Sequence, residues 1–349
     1  MNNVYHIIGA MSGTSLDGVD LVKCVIYKDK KWKYQIESYE TIKYPKYWFD
    51  KLKKLHLNEE KDIKEVDKEF GIFLGERIND HINRNNIKCD YISSHGHTIF
   101  HQPDKYLTLQ IGDGKTISNV TNITTINNFR ELDVKLKGQG APLVPIGDSL
   151  LFPEYKYCLN LGGFANISIK KEDTIIAFDI CPVNYVLNFL SNKRGLEYDN
   201  HGKLSESGMI NTELLRKLNS LNFYESTHPK SLSREWVEKY IFPILMESEI
   251  TIEDQLCTFS EHISIQIGKF LKDREVLITG GGTLNRYLIN RLSQYSLSKL
   301  IIPDTKLINY KEALIFAFLG VLRLEKIDNC LKSVTGAERN SCSGDIYKK

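Results

Sequence analysis

The chain has 349 residues, 42% of them hydrophobic, and 46 basic against 44 acidic side chains leave a net charge of +2. This length favours two domains over one core, and the balanced charge excludes the basic footprint of a nucleic-acid or anionic-membrane partner. The seven cysteines are scattered without a C-x-x-C pair, and neither a signal sequence nor a membrane-spanning apolar run is visible. We therefore expect a cytoplasmic protein.

The first predicted element is a β-hairpin over residues 4–26, in which a loop of glycine and hydroxyl residues joins two apolar strands. Glycines permit the positive φ angles and close approach of a phosphate cradle, and a carboxylate in the loop suits a phosphate-bound Mg²⁺. The loop predicts a phosphate site formed by Gly9, Ser12, Gly13, Thr14, Ser15, Asp17 and Gly18. An ordinary glycine-rich hairpin is the alternative. A Walker-type loop is excluded, because a strand follows instead of a lysine and a helix.

Hydrophobic periodicity organises the rest of the first half and the connecting helices. Helices are expected at residues 66–85, 185–194, 252–272 and 311–328, and strands at 91–94, 107–111 and 123–127. The Gly/Pro-rich segment 137–145 is expected to connect the domains. The predicted domains are residues 1–130 with 329–349, and residues 131–328.

Two further glycine turns follow. Residues 156–170 repeat the strand-turn-strand pattern of the first hairpin, which indicates a weak internal duplication. A short strand at 174–178 then ends at Asp179. Residues 276–292 form a strand, a triple glycine and an amphipathic helix, an arrangement that suits a nucleotide at a helix N-terminus.

Sequence blocks along the whole chain resemble the 1,6-anhydro-N-acetylmuramic acid kinase family of the actin/hexokinase/Hsp70 superfamily. The blocks of the first half are MSGTSLDGVD (11–20), SHGHTIFH (94–101), LQIGDG (109–114), NFR…DV (128–134) and GQGAPLVP (138–145). Those of the second half are LNLGGFAN (159–166), PKS…RE (229–235), GGG…N (280–285), KEA…FA (311–317) and SVTGA (333–337).

The resemblance implies a two-domain α/β, actin-like ATPase (ribonuclease H-like) fold with an interdomain active-site cleft. It also implies a homodimer that uses ATP and Mg²⁺ to act on a small-molecule sugar. The implied reaction opens the 1,6-anhydro ring of anhydro-N-acetylmuramic acid and phosphorylates O6, in the recycling of peptidoglycan.

The resemblance further implies that Asp179 is the catalytic base and that Glu312 contacts the sugar close to it. The family's block Asp-Thr-Gly-Pro-Gly-Asn reads DICPVN at residues 179–184. Two glycines are therefore replaced, by Cys181 and Val183, which restricts the turn and threatens to crowd the sugar. We interpret the change as a subfamily variant.

The remaining site residues are assigned by the same resemblance. The transferred phosphate would be held by Ser12, Gly13, Thr14 and Ser15, with Asp17 at the metal, and by Gly162, Gly163 and Asn166, which would close on it. The nucleoside would bind Gly280, Gly281, Gly282 and Asn285. The sugar would contact His95, Gly96, His97, Arg130, Asp133 and Lys230. His97 stands where the family usually has glutamine, and both side chains can hydrogen-bond a sugar.

Several alternatives remain open at this point. Asp179 is also placed to cap a helix, and Glu312 to complement a helix dipole. His95, His97 and His101 have the spacing of a metal site, which would indicate a metallohydrolase. A kinase for another anhydro- or amino-sugar and an inactive nucleotide-binding regulatory protein are the other candidates, and the altered turn at 180–183 is the feature that favours them.

Overall fold

The computed structural model describes residues 3–13, 16–172, 174–228 and 230–349. The chain divides into two compact units, of which the first comprises Met1–Phe152 with Tyr310–Lys349 and the second Pro153–Asn309. These boundaries differ from the predicted domains, because residues 131–152 and 310–328 belong to the first unit. The segment 137–145, expected to connect the domains, lies inside that unit.

The described residues form twelve strands. They are β1 (Val4–Ser12), β2 (Val19–Lys28), β3 (Trp32–Ile42), β4 (Tyr91–Gln102), β5 (Leu107–Ile111), β6 (Thr124–Asn127), β7 (Tyr157–Leu161), β8 (Phe164–Lys170), β9 (Ile175–Pro182), β10 (Glu275–Thr279), β11 (Lys299–Ile301) and β12 (Asp345–Tyr347).

The same residues form fourteen α-helices. They are α1 (Lys46–Lys54), α2 (Glu60–Asn85), α3 (Gly114–Thr121), α4 (Glu131–Lys135), α5 (Val144–Leu151), α6 (Asn184–Asn192), α7 (Lys203–Ser207), α8 (Thr212–Asn219), α9 (Arg234–Tyr240), α10 (Phe242–Met246), α11 (Ile252–Gly268), α12 (Arg286–Tyr295), α13 (Thr305–Leu324) and α14 (Lys332–Thr335).

The sheets of the two units share one strand order. In the first unit the order is β12-β6-β4-β1-β2-β3, with β5 paired to β4, and in the second it is β11-β10-β7-β8-β9. In each sheet the first two hairpin pairs are antiparallel and the next two pairs are parallel. The order 3-2-1-4-5 therefore occurs twice. This is the mixed α/β, ribonuclease H-like architecture expected for a two-domain ATPase, and it gives the suspected duplication a structural basis.

Each unit has its own apolar core. In the first unit, α2 buries Phe70, Leu74 and Ile78 against the sheet. In the second unit, α11 is buried along nearly its whole length, including Phe259 and Ile263. Among the described helices, none combines the length and the apolar character needed to cross a membrane.

Most predicted elements are present with shifted ends, and three strands, β3, β11 and β12, were missed. The strand predicted at 107–111 matches β5, and the helix predicted at 311–328 begins six residues earlier, at Thr305, and ends at Leu324. The longest of the missed strands is β3, whose residues alternate between exposed and partly buried. It reads as polar because it lies at a sheet edge with one solvated face.

Candidate functional site

The β1–β2 turn carries the first predicted phosphate loop. Ser12 ends β1 and pairs with Val19, the first residue of β2, and Gly18 has a positive φ of 151°. Asp17 is exposed in this turn, as a carboxylate that binds a ligand-borne metal would be. Thr14 and Ser15 lie outside the described residues.

Gly9 lies within β1 and has a packing role. A Cβ at this position would come within 2.0 Å of the carbonyl oxygen of Ala313 in α13. The glycine therefore lets the helix backbone approach the strand. The predicted contact of Gly9 with a nucleotide is not needed to explain it.

Ser12 and His97 meet in the first unit although 85 residues separate them. Register pairs them across β1 and β4, and Ser12 Oγ lies 2.7 Å from His97 Nδ1 and 2.5 Å from the hydroxyl of Tyr44. Burial lowers the pKa of His97 to about 4, so its imidazole is neutral at physiological pH. Tyr44 is a contact that sequence reasoning missed, because a lone tyrosine after a strand carries no motif.

His95 and Arg130 form a second polar pair on the same strand. His95 Nδ1 donates to the Gly96 carbonyl at 2.9 Å, and Arg130 Nε and Nη2 donate to His95 Nε2 at 3.0 and 2.8 Å. Burial, and secondarily Arg130, keeps the pKa of His95 well below its usual value. Gly96 has a φ of 73°, and a Cβ there would lie 2.4 Å from the Ile111 carbonyl oxygen.

Asp133 is fully buried, which differs from its predicted place on the sugar. Its Oδ2 accepts the Gly140 N–H at 2.8 Å and its Oδ1 accepts the Thr335 hydroxyl at 2.8 Å. The Gly140 carbonyl in turn accepts Arg130 Nη1 at 2.8 Å. Asp133 therefore shapes the turn that supports Arg130, and its carboxylate has no exposed surface for a sugar.

Glu312 belongs to the first unit, near the middle of α13. Its side chain retains solvent exposure. Desolvation by surrounding protein raises the pKa of the Glu312 carboxyl, Arg130 opposes the rise, and Asp20 adds to it. An exposed carboxyl within electrostatic range of Arg130 and Asp20 is chemically suited to a sugar hydroxyl.

Asp179 is held in the second unit by the segment after residue 229. Its backbone N–H donates to the Lys230 carbonyl at 3.1 Å, and its Oδ2 accepts the Leu232 N–H at 2.8 Å. Burial raises the pKa of Asp179, and the Leu232 bond opposes the rise. The side chain caps no helix, since α6 begins at Asn184 without a side-chain cap bond. Sequence reasoning missed Leu232, because a backbone donor leaves no side-chain signal.

The Gly162–Gly163 turn and Asn166 lie beside Asp179 in the second unit. The Gly163 carbonyl accepts the Val183 N–H at 2.8 Å, which pins the β7–β8 turn to the end of β9. Asn166 is exposed and directly opposite Asp179 in the β8–β9 register. The predicted base and a predicted phosphate contact are therefore cross-strand neighbours.

The altered turn at 180–183 does not crowd that position. Ile180, Cys181 and Val183 are each at most 1% exposed and belong to the core of the second unit. Cys181 and Val183 are not among the residues with positive φ, so their Cβ atoms impose no left-handed strain. The crowding expected from the lost glycines is absent, because these side chains point into the core.

The Lys230 side chain bonds within the second unit, whereas it was expected to contact the sugar. Its Nζ donates to the Phe223 carbonyl at 3.1 Å and lies 4.5 Å from the centre of the Phe223 ring. Burial lowers the pKa of Lys230, and Lys269 adds to this effect. The ammonium group is thus engaged within the second unit, whereas the Lys230 carbonyl supports Asp179.

The triple glycine follows β10 and separates it from α12 by a short 3₁₀ turn. Gly280 has a φ of 86°, and a Cβ there would lie 2.6 Å from Asn160 Oδ1. Gly281 is exposed, and a Cβ there would make only an ordinary contact, 3.8 Å from Asn184 Nδ2. Asn285 is buried and caps α12 by accepting the Leu288 N–H at 2.9 Å, so its side chain has a structural role.

The histidine triplet does not form a metal site. Both ring nitrogens of His95 are engaged in hydrogen bonds, and His101 Nδ1 lies 3.1 Å from the Thr108 hydroxyl. Over the described part of the chain, no three His, Cys, Asp or Glu side chains are grouped to hold a metal ion. The metallohydrolase alternative therefore loses its structural basis.

The comparisons with known proteins agree along the whole chain. The family model described as anhydro-N-acetylmuramic acid kinase matches residues 5–349. The anhydro-N-acetylmuramic acid kinase of Aliivibrio fischeri is 34% identical over 97% of this chain and 98% of its own. That of Pseudomonas syringae pv. syringae is 31% identical over 98% and 99%.

Among solved structures, the activator of the 2-hydroxyisocaproyl-CoA dehydratase from Clostridium difficile with bound ADPNP has a TM-score of 0.44 and 14% identity. The match covers 92% of this chain and 97% of that one. A likeness this distant adds nothing to the assignment, which rests on the full-length matches. The chain belongs to the anhydro-N-acetylmuramic acid kinase family.

Proposed function

We propose that this chain uses ATP to open the 1,6-anhydro ring of anhydro-N-acetylmuramic acid with water and to phosphorylate O6. The products are N-acetylmuramic acid 6-phosphate and ADP, a step in peptidoglycan recycling. The observation that carries the proposal is the setting of Asp179, a half-buried carboxylate fixed by one backbone donor beside a glycine turn. The expectation that the reaction takes place in an interdomain cleft stays a prediction.

Asp179 is the group proposed to activate water. Its Oδ2 is occupied by the Leu232 N–H, which leaves Oδ1 to accept a proton from water. That water attacks the anomeric carbon, and the bond from this carbon to O6 breaks. O6 forms a bond to the γ-phosphorus of ATP as the bond from that phosphorus to the β,γ-bridging oxygen breaks, and ADP leaves with the electron pair of that bond. The water proton resides on Asp179 until solvent removes it. A carboxylate near the anomeric carbon also stabilises oxocarbenium-like charge.

The phosphates of ATP are proposed to bind the glycine turns. The β1–β2 turn ends at Ser12 and Gly18, the β7–β8 turn contains Gly162 and Gly163, and the exposed Gly281 would contact the nucleoside. Phosphoryl transfer depends mainly on positioning and on neutralising charge.

Magnesium is proposed to bind together with ATP near Asp17. The exposed Asp17 carboxylate fits this ion, since Mg²⁺ with nucleotides is held by one or two carboxylates and the phosphates. When bound, Mg²⁺ would neutralise phosphate charge.

The sugar is proposed to contact the polar groups of the first unit. Glu312 is exposed, Arg130 lies within electrostatic range of it, and His97 offers a neutral imidazole. His95 acts on Arg130 and not on the sugar, because both of its nitrogens are occupied.

A cytoplasmic location is proposed with the same enzyme. The seven cysteines, all among the described residues, form no disulfide bonds, which fits a reducing compartment.

The experiment that tests the function compares two sugars. ADP release is measured with anhydro-N-acetylmuramic acid and with N-acetylmuramic acid, and the product is identified by mass spectrometry. We expect ADP formation that depends on the anhydro sugar, and a product heavier by one water and one phosphoryl group. Equal turnover of the two sugars, or ATP binding without turnover, would overturn the proposal.

A further inference from the structure

Three side chains of the first unit form a hydrogen-bonded chain that ends at His97. The Tyr44 hydroxyl lies 2.5 Å from Ser12 Oγ, and Ser12 Oγ lies 2.7 Å from His97 Nδ1. Ser12 and His97 are 2% and 3% exposed, so the contact is shielded from competing water. The rings of Tyr44 and Phe70 meet the imidazole edge-on, at centroid distances of 6.4 and 6.3 Å, and fix its orientation.

The donor and acceptor of each hydrogen bond from Tyr44 through Ser12 to His97 follow from a count of protons. Burial raises the pKa of Tyr44, so its hydroxyl stays protonated. Ser12 Oγ is the hydrogen-bond partner that the described residues offer to this hydroxyl. Of the two hydroxyls, the phenol of Tyr44 is the more acidic and therefore the stronger donor, so Tyr44 donates to Ser12. The Ser12 hydroxyl has one proton, which it then donates to His97 Nδ1.

We propose that Tyr44 and Ser12 are positioning residues that hold His97 in the Nε2–H tautomer, so that His97 presents an N–H donor to an oxygen of the sugar. The role in sugar binding rests on the proposed function, whereas the tautomer does not. Nε2 bonds to none of the described residues, and this nitrogen is the one left for a ligand.

The neighbouring histidine of the same strand has the opposite tautomer. His95 Nδ1 faces the Gly96 carbonyl, which can only accept, and His95 Nε2 receives two N–H groups of Arg130. His95 therefore has its proton on Nδ1. Two histidines separated by one residue thus differ in tautomer because their partners differ. Of the two, His97 is the one with a ring N–H left for a ligand, as a glutamine amide would have.

The proposal also assigns the Ser12 hydroxyl. Its single proton is used on His97 Nδ1, so it is not a donor to phosphate. The contribution of Ser12 to a phosphate site is then made by its backbone.

The test is a ¹⁵N NMR spectrum of the imidazole nitrogens in the full-length protein at neutral pH, without nucleotide or sugar. Signals are assigned with His95→Gln and His97→Gln. We expect the protonated, pyrrole-type shift on Nε2 of His97 and on Nδ1 of His95. A protonated Nδ1 on His97, or an even mixture of tautomers, would overturn the proposal.

Variants separate positioning from folding. Tyr44→Phe is expected to shift His97 toward a tautomer mixture and to raise the sugar KM about three- to tenfold, the value of one hydrogen bond. Tyr106→Phe, at an exposed site, is the matched control and should change neither. Ser12→Ala provides the same spectral test if Tyr44→Phe does not fold.

The sugar KM tests whether His97 contacts the sugar, which is a separate question from which tautomer His97 adopts. His97→Leu, which removes the imidazole donor, should raise the sugar KM, and His97→Gln, whose amide retains an N–H donor, should raise it less. An unchanged His97 spectrum in Tyr44→Phe would refute the positioning role of Tyr44, even if the variant is an active kinase. If the wild-type protein instead proves to lack the proposed kinase activity, its spectrum should still show the expected tautomers, because the tautomer does not depend on the proposed function.

Discussion

At the scale of one residue, two opposing influences set the pKa of Asp179. Burial raises the pKa of its carboxyl and the Leu232 N–H lowers it, with burial the larger effect. The carboxylate, which is the form that accepts a proton, is therefore lost at a higher pH than for a free aspartate.

The pH dependence of turnover follows from this shift. Because the folded-state pKa is raised, kcat/KM for the anhydro sugar should be constant at neutral pH and fall as pH decreases through a value above about 4, the ordinary aspartate pKa. The measurement is a pH profile of kcat/KM for the wild type and for Glu312→Gln, since Glu312 also has a raised pKa. An acid limb that disappears in Glu312→Gln would assign the titration to Glu312 and contradict the account of Asp179.

Val183 tests whether the altered turn is a core feature. Val183→Gly restores the family residue but removes a fully buried side chain, so we expect a loss of about 3 kcal/mol in the free energy of unfolding. Leu297→Gly, at a residue 76% exposed, is the control for the backbone effect of glycine, with an expected loss of about 1 kcal/mol. Urea denaturation compares the two, and equal losses would show that the turn is not part of the core.

At the scale of elements, three neighbours of Glu312 anchor α13 within the first unit. The Tyr310 hydroxyl lies 3.1 Å from the Thr41 hydroxyl of β3. Lys311 Nζ lies 3.0 Å from Asp148 of α5, with both side chains at most 6% exposed. The Ala313 carbonyl packs on Gly9 of β1. Glu312 is therefore presented by a segment fixed on three elements.

The Lys311–Asp148 pair should be sensitive to loss of one partner. Lys311→Met leaves a buried carboxylate without this cation, and we expect a loss of about 3–5 kcal/mol in unfolding free energy. The double variant Lys311→Met/Asp148→Leu should recover much of the loss. Lys299→Met, which removes an exposed pair with Glu275, should cost less than about 1 kcal/mol. A double variant no more stable than Lys311→Met would contradict a buried ion pair.

Local sequence patterns predicted secondary-structure elements better than they predicted the hydrogen-bond partners of individual polar side chains. The glycine hairpins and β5 follow from alternation and turn residues, and they occur where expected. Asp133 and Asn285 were expected on ligands, yet each bonds to its own unit. A short motif shows that a polar residue matters, but it does not distinguish a ligand contact from a cap or a buried support.

At the scale of the whole molecule, the two units repeat one sheet order with little sequence repetition. The repeated topology depends on strand pairing, which apolar residues of many kinds can satisfy. Sequence therefore gave only a weak indication of the duplication. The unit boundaries were harder to predict, because Tyr310–Lys349 rejoins the first unit through long-range packing.

The central claim is that this chain is a kinase of an anhydro sugar with Asp179 as its base. The most direct measurement is kcat/KM with anhydro-N-acetylmuramic acid for the wild type, Asp179→Asn and the surface control Asp273→Asn, with ATP affinity measured by calorimetry. We expect Asp179→Asn to lose about 10²–10⁴-fold in kcat/KM while it still binds ATP, and Asp273→Asn to match the wild type. An Asp179→Asn variant as active as the wild type would contradict the account.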